Sequence, residues 1–351
     1  MLDIIKILIP TIASFAVGIL ITPTLTDYLY RNQMWKKRAG KIGLDGKETT
    51  VFNELHKDRE VNTPRMGGLV IWLSALVVIF LIWIISKIIP TNFFIKLDFL
   101  SRNQTWIPVG ALLIGGLVGL IDDVFEIKKS NGGLSSSKRL LIVGIVAFLV
   151  ASWFFFKLEV NTIGIPFYGD LFIGWLIIPL FVCFSIGIYS GGVIDGIDGL
   201  AGGVFGTIFL SYAGIAFYQN QIDLAAFSLA VTGGLLAFLW FNIPPARFYM
   251  SETGSMALTM AIAVIAFMTD SLGGGYGVIV FPIIAFPLIA TSGSVVIQQL
   301  SKKYRGKKIF LSTPIHHHFE AIGWPSYKVT MRYWIISLMC AFIGLIIALV
   351  G

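Results

Sequence analysis

Charge is what this chain has least of. Only 13% of its 351 side chains are Asp, Glu, Lys or Arg, about half the share of an ordinary soluble domain, and no soluble domain of any length is left between its apolar runs. Cysteine is almost as scarce. Cys183 and Cys340 both lie inside apolar stretches with no partner spacing, which leaves a disulfide framework or a zinc knuckle without support and favours buried, inert thiols. The sequence also has no low-complexity stretch and no convincing internal repeat, and the missing repeat disfavours the inverted-repeat transporter architectures.

Apolar sequence is what the chain has in quantity, since 56% of its residues are hydrophobic. Runs of about 20 apolar residues are long enough to cross a hydrocarbon core as helices. Ten such runs fall near 4–25, 67–89, 106–122, 139–156, 172–190, 200–218, 222–241, 254–270, 277–298 and 331–350. The first is longer than a signal-peptide core and lacks a basic n-region and a small-residue cleavage pattern, so it reads as a retained span. The expected fold is an all-α integral membrane protein, with residues 1–351 forming a single polytopic domain. Between spans four and five, Lys157 to Asp170 carries Gly164, Pro166 and Gly169, which suits a short external hairpin.

Ten spans put both termini on one side. When the loops are taken alternately, one set holds 19 of the 26 lysines and arginines, and Arg139 and Arg332 sit at span ends on that same side. The positive-inside rule makes that side cytoplasmic and both termini extracytoplasmic. The net charge of +7 is accordingly read as topology and affinity for anionic lipid in the bilayer rather than for nucleic acid. The same loop assignment, made without reference to any motif, gathers the rare polar islands on the cytoplasmic face.

The first island is Asp122-Asp123, at the end of the third apolar run. Adjacent carboxylates disfavour double ionisation unless a cation or proton lies between them, and a bilayer-embedded pair of this kind marks function by default. Hard oxygens with no cysteine or histidine nearby favour Mg²⁺, with Mn²⁺ also allowed, over zinc. The second island, Asp195-Gly196-Ile197-Asp198-Gly199, spaces two acids three apart among glycines. On a helix they would share a face, and on a loop they would leave backbone N–H groups open to phosphate or ribose. The third runs from Phe241 to Ser255: Pro244 and Pro245 break a helix, Tyr249 offers a ring face for a planar base, and Glu252 stands at the mouth of a span. The fourth is Pro314-Ile315-His316-His317-His318-Phe319-Glu320. Three consecutive residues cannot all face one metal on a helix, but imidazoles suit phosphate binding or proton transfer. Upstream, Thr63-Pro64-Arg65-Met66-Gly67-Gly68 closes a basic loop in which Lys57, Arg59 and Arg65 are candidates for holding phosphate; a topogenic loop ending in a turn is the competing reading of Arg65.

With these residues assembled, the chain resembles the polyprenyl-phosphate N-acetylhexosamine-1-phosphate transferases over nearly its whole length. The His316-His317-His318 stretch followed by Gly323-Trp324-Pro325 resembles the muramoyl-pentapeptide branch, and the two aspartate islands resemble the wider superfamily. The resemblance implies an enzyme of the bacterial cytoplasmic membrane with its active site on the cytoplasmic face. Such an enzyme transfers phospho-MurNAc-pentapeptide from UDP-MurNAc-pentapeptide to undecaprenyl phosphate with Mg²⁺, releasing UMP and forming lipid I; a homodimer is compatible with it. The catalytic set it implies is Asp122, Asp123, Asp198 and His317. The substrate-binding set is Lys57, Arg59, Asp195, Asn242, Tyr249, His316 and His318, and the metal set is Asp122, Asp123 and Glu252. A GlcNAc-1-phosphate transferase on the same lipid and a cation-coupled transporter stand as alternatives.

Four departures from the family pattern are visible. Ser251-Glu252 stands where the pattern has Gly-Asp, Gly192 where it has asparagine, and Glu126 where it has a lysine after the paired acids. The basic residue before the first Thr-Pro is also out of register, leaving both Lys57 and Arg59 as candidates.

Overall fold

The computed structural model describes residues 2–36, 61–100, 105–128 and 133–351. Its long helices are α1 (Leu2–Arg31), α2 (Gly68–Ile88), α4 (Trp106–Lys128), α5 (Ser136–Leu158), α6 (Ile177–Ser190), α7 (Leu200–Tyr218), α8 (Ile222–Asn242), α9 (Ser251–Met268), α11 (Phe286–Arg305) and α13 (Ser326–Val350). Shorter helices are α3 (Asn92–Leu97), α10 (Gly277–Ile284) and α12 (Ile315–Ala321). Among the described residues nine helical segments are long and apolar enough to cross a bilayer, α6 with the short turn on each side of it. The bent pair α10–α11 makes a tenth. The expected ninth span is therefore not straight: its halves meet at 73° around Ala285, where Pro287, in the first turn of α11, has no N–H to continue the ladder.

Two ends differ from the expected limits. α1 runs on to Arg31 because Leu29 is buried beside Met66 and Ile127 in a small apolar cluster separate from the main core. α4 runs on to Lys128, so Asp122 and Asp123 lie inside a helix rather than at its end, and Glu126 shares their face.

The expected hairpin forms: β1 (Thr162–Ile165) pairs antiparallel with β2 (Gly169–Phe172), in the register Thr162 opposite Phe172 and Ile165 opposite Gly169. It closes one end of the bundle together with the C-terminus, whose Gly351 carbonyl accepts from the Phe167 N–H and the Tyr276 hydroxyl. Lys6 near the N-terminus pairs at 2.5 Å with Asp223 at the start of α8, and α8 carries Asn242 at its far end. Both termini therefore occupy the end opposite the acids.

The central element is α9. From Thr253 to Met268 every residue is buried, and its small side chains let neighbouring helices approach closely. Helix α4 meets it through Gly115 and Gly119, four apart on one face. A Cβ at Gly115 would fall 2.7 Å from the Met256 carbonyl oxygen, and one at Gly119 would collide with the Glu252 carbonyl. Without a hydrophobic drive between helices in lipid, small residues that permit backbone contact are what hold a pair together. This glycine seam brings the acid-bearing turn of α4 against the first turn of α9.

Candidate active site

Asp122 and Asp123 are fully buried, yet their surroundings differ. Asp122 Oδ1 accepts from the Leu134 N–H at 2.6 Å, while Oδ2 accepts no hydrogen bond and lies 3.2 Å from Arg139 Nε. Asp123 is saturated. Its Oδ2 accepts from Ser251 Oγ at 2.5 Å, Thr253 N at 2.9 Å and Thr253 Oγ1 at 2.6 Å, and its Oδ1 lies 3.2 Å from both Arg65 Nε and Nη2. A carboxylate with that many donors is a positioning element, whereas Asp122 Oδ2, buried with no hydrogen bond and only the Arg139 cation beside it, keeps its lone pairs for chemistry.

Glu252, in the first turn of α9, directs Oε1 to Arg139 Nη1 at 2.7 Å and Oε2 toward Ser255 Oγ at 3.3 Å and Tyr189 Oη at 3.4 Å. Arg139 thus spans Asp122 and Glu252 from the N-terminal turn of α5. Helix dipoles disfavour a cation at that position, and the two carboxylates compensate. Arg139, Tyr189, Ser251 and Thr253 are site residues that sequence reading missed. For Arg139 a signal existed, an arginine at the start of a span on the acid side.

Ser251 holds a left-handed backbone, with φ of 52°, which a residue with a side chain adopts at a cost. Its N–H donates to Asp195 Oδ2 at 2.7 Å, and its Oγ accepts from the Met66 N–H at 2.9 Å as well as donating to Asp123. The second aspartate island is thereby tied to the first through one serine. Asp198 Oδ2 accepts from the Ala246 N–H at 3.1 Å. Asn242 accepts from the Gly199 N–H at 2.9 Å and donates to the Phe248 carbonyl at 2.8 Å, pinning the loops on either side of it. The Asp195–Asp198 stretch is a turn rather than a helix, and Gly199 ends it with φ of 75°. Tyr249 is half-buried and is stitched by backbone bonds to Pro64 and Gly67.

The histidines divide. His316 and His317 are buried against the aspartate turn, where a Cβ on Gly196 would lie 2.7 Å from His317 Nε2 and would collide with His316 Nε2. His317 Nδ1 is 2.7 Å from Glu320 Oε2, whose other oxygen accepts from Ser326 Oγ at 2.6 Å, so the Nε2 edge of the ring is presented to the turn. His318 points the other way: its Nδ1 accepts from the Leu311 N–H at 3.2 Å and its ring lies against Phe310. Helical periodicity separates it from its neighbours. Lys57 and Arg59 lie outside the described residues.

Hard oxygens suit a magnesium ion. Among the described residues no three acids or histidines converge as a ready cage, but Mg²⁺ characteristically takes one or two carboxylates and completes its shell with phosphate and water. Asp122 Oδ2, which accepts no hydrogen bond, and the neighbouring Glu252 are the carboxylates that fit that demand, their charge held by Arg139 between them.

Residues 105–270, which carry both aspartate islands and Glu252, match the family model described as glycosyl transferase family 4. Over almost its full length the chain is similar to proteins named phospho-N-acetylmuramoyl-pentapeptide-transferase. It is 32% identical over 346 residues to that of Latilactobacillus sakei subsp. sakei (strain 23K), covering 97% of this chain and 98% of the relative. It is 31% identical over 345 residues to that of Bacillus subtilis (strain 168), covering 97% of each.

Proposed function

The chain belongs to the phospho-N-acetylmuramoyl-pentapeptide-transferase family, and from that premise we propose that it transfers phospho-MurNAc-pentapeptide from its UDP carrier to undecaprenyl phosphate, releasing UMP and forming lipid I. The observation that carries the reading is the Asp122 carboxylate oxygen that accepts no hydrogen bond, buried beside Arg139 and Glu252 at one end of a membrane bundle. One substrate is water-soluble and the other is a lipid whose phosphate stays at the interface, so they can meet only where such a bundle end reaches the headgroups.

Asp122 acts either as the base that readies the lipid phosphate or as the nucleophile that attacks first. As base, Asp122 takes a proton from the lipid phosphate, whose oxygen bonds to the sugar-linked phosphorus as the bond to UMP breaks. As nucleophile, Asp122 displaces UMP from that phosphorus first, and the lipid phosphate then displaces the aspartate. In either course the electron pair of the broken UMP bond leaves with UMP. Asp123, held by Ser251, Thr253 and Arg65, fixes the turn from which Glu252 projects. The turn bearing Asp195 and Asp198, with Asn242, Tyr249 and His316, faces the nucleotide and the pyrophosphate, and His317 supplies an imidazole edge to phosphate oxygens. Asp122 and Glu252 would hold Mg²⁺, whose contribution is to neutralise pyrophosphate charge. The excess of basic residues in the loops at the acid end supports a cytoplasmic placement of the site in a bacterial inner membrane.

The test is a transfer assay with undecaprenyl phosphate and either UDP-MurNAc-pentapeptide or UDP-GlcNAc, with and without Mg²⁺. Lipid I formation from the muramoyl donor alone, lost on chelation, is the expected result. Transfer only from UDP-GlcNAc would reassign the donor, and ion flux without product would reassign the class.

A further inference from the structure

Position 126 of α4 is an acid, Glu126, where a cation would complement Asp123. On α4 it follows Asp123 by three residues, the spacing at which side chains share a helical face. A lysine there would set its ammonium beside Asp123. This chain instead places a second acid within a turn of a fully buried carboxylate, and leaving such a charge without a cation is strongly destabilising.

The cation comes from outside the helix. Arg65 Nη2 lies 3.2 Å from Asp123 Oδ1 and 3.1 Å from Glu126 Oε2, and Lys36 approaches the other oxygen of Glu126 at 3.3 Å. Arg65 is itself anchored. Its N–H donates to the Met34 carbonyl at 2.8 Å, and the next residue, Met66, is buried against Leu29 and Ile127 and donates its N–H to Ser251 Oγ at 2.9 Å. One short segment therefore ties the end of α1, the start of α2, the acid turn of α4 and the N-terminus of α9.

We propose that Arg65 is a positioning residue for the transfer reaction: it supplies from the approach to α2 the positive charge that α4 lacks at position 126, and Glu126 orients its guanidinium against Asp123. Asp123 in turn holds Ser251 and Thr253, the two neighbours of Glu252, so the pair governs where Glu252 stands relative to Asp122. As a role in turnover this rests on the transferase reading, but the charge relocation also has a consequence for folding that is measurable without substrate.

The experiment is a double-mutant cycle of Arg65→Gln and Glu126→Lys, read as kcat, KM and melting temperature in detergent. Misplacing a reacting group by about 1 Å costs on the order of 10²-fold, so Arg65→Gln lowers kcat by about that factor with little change in KM. Glu126→Lys alone also lowers kcat, because two cations then compete for Asp123. The double variant recovers about tenfold or more over either single variant and melts higher than both. Wild-type kcat in Arg65→Gln would overturn the proposal, as would a double variant no better than its parents, the result expected if Arg65 itself touches substrate. If Arg65→Gln cannot be purified, the double variant against Glu126→Lys alone decides on the same criterion. Should the wild type transfer neither UDP-sugar, the transferase reading falls, and the melting temperatures alone decide whether Arg65 carries the relocated charge: a double variant that melts no higher than either parent overturns it.

Discussion

The two ends of α9 both bury carboxylates, and they do so in opposite ways. At its N-terminal end Asp122, Asp123 and Glu252 face guanidinium groups, Arg139 and Arg65. Just past its C-terminal end Asp270 accepts from the backbone N–H groups of Gly164 at 2.8 Å and Val278 at 2.9 Å, clamping the hairpin and α10 to the helix. Backbone donors are fixed by the fold and serve a pin. Side-chain cations can exchange partners when phosphates or a metal arrive, and they serve a reaction centre.

Substitutions at the two ends should therefore separate activity from stability. The largest effect is expected from Asp122→Asn, which abolishes measurable UMP release, a loss of about 10³-fold, the upper end of what is seen when transition-state electrostatics are removed, while the melting temperature stays near wild type. Retained turnover in detergent would remove Asp122 from the chemistry. Arg139→Ala is expected next, with a kcat loss of about 10²-fold that Arg139→Lys partly recovers; steady-state kinetics of the two variants side by side check it. Gly119→Ala drives a methyl into the Glu252 carbonyl and is expected to destabilise by about 1–3 kcal/mol while lowering activity, read by thermal melts alongside turnover.

The smallest effect on turnover belongs to the pin. Burial raises the Asp270 carboxyl from its ordinary 3.8 to about 7, against the opposing pull of the Gly164 and Val278 N–H groups. The folded state then holds the proton more tightly than the unfolded one between those values, so stability falls as pH rises through the window. Relative to Asp270→Asn, the wild type should lose on the order of several degrees of melting temperature between about pH 4 and pH 8, with no matching change in kcat. A flat difference across that range would show that Asp270 does not titrate there.

Much of this fold was legible because lipid demands long apolar runs, and acids inside such runs are rare enough to stand out. Asp122, Asp123, Asp195, Asp198, Glu252, His316 and His317 were each visible as islands, and the structure brings them to one end. Other features were not legible for physical reasons. Ser251 and Thr253 are ordinary residues that matter only because Asp123 reaches them from a helix more than a hundred positions away. Arg139 looked like part of the topogenic charge, since a basic residue at a span end serves both purposes equally well. His318 shared its neighbours' motif, and only the helical turn of α12 reveals that it faces Phe310. The bend at Ala285 had a marker in Pro287, but the span was set by its apolar run, whose composition is the same whether or not its axis is straight.

The glycine seam between α4 and α9 carries a consequence for how such proteins diversify. The spacing between Asp122 and Glu252 starts from backbones touching at Gly115 and Gly119, and among the polar loops the one that carries Arg65 adjusts it, through Asp123. Exchange of loops that do not carry Arg65 should leave that spacing intact, whereas grafting either helix without its counterpart should spoil it; the two behave as one inherited cassette.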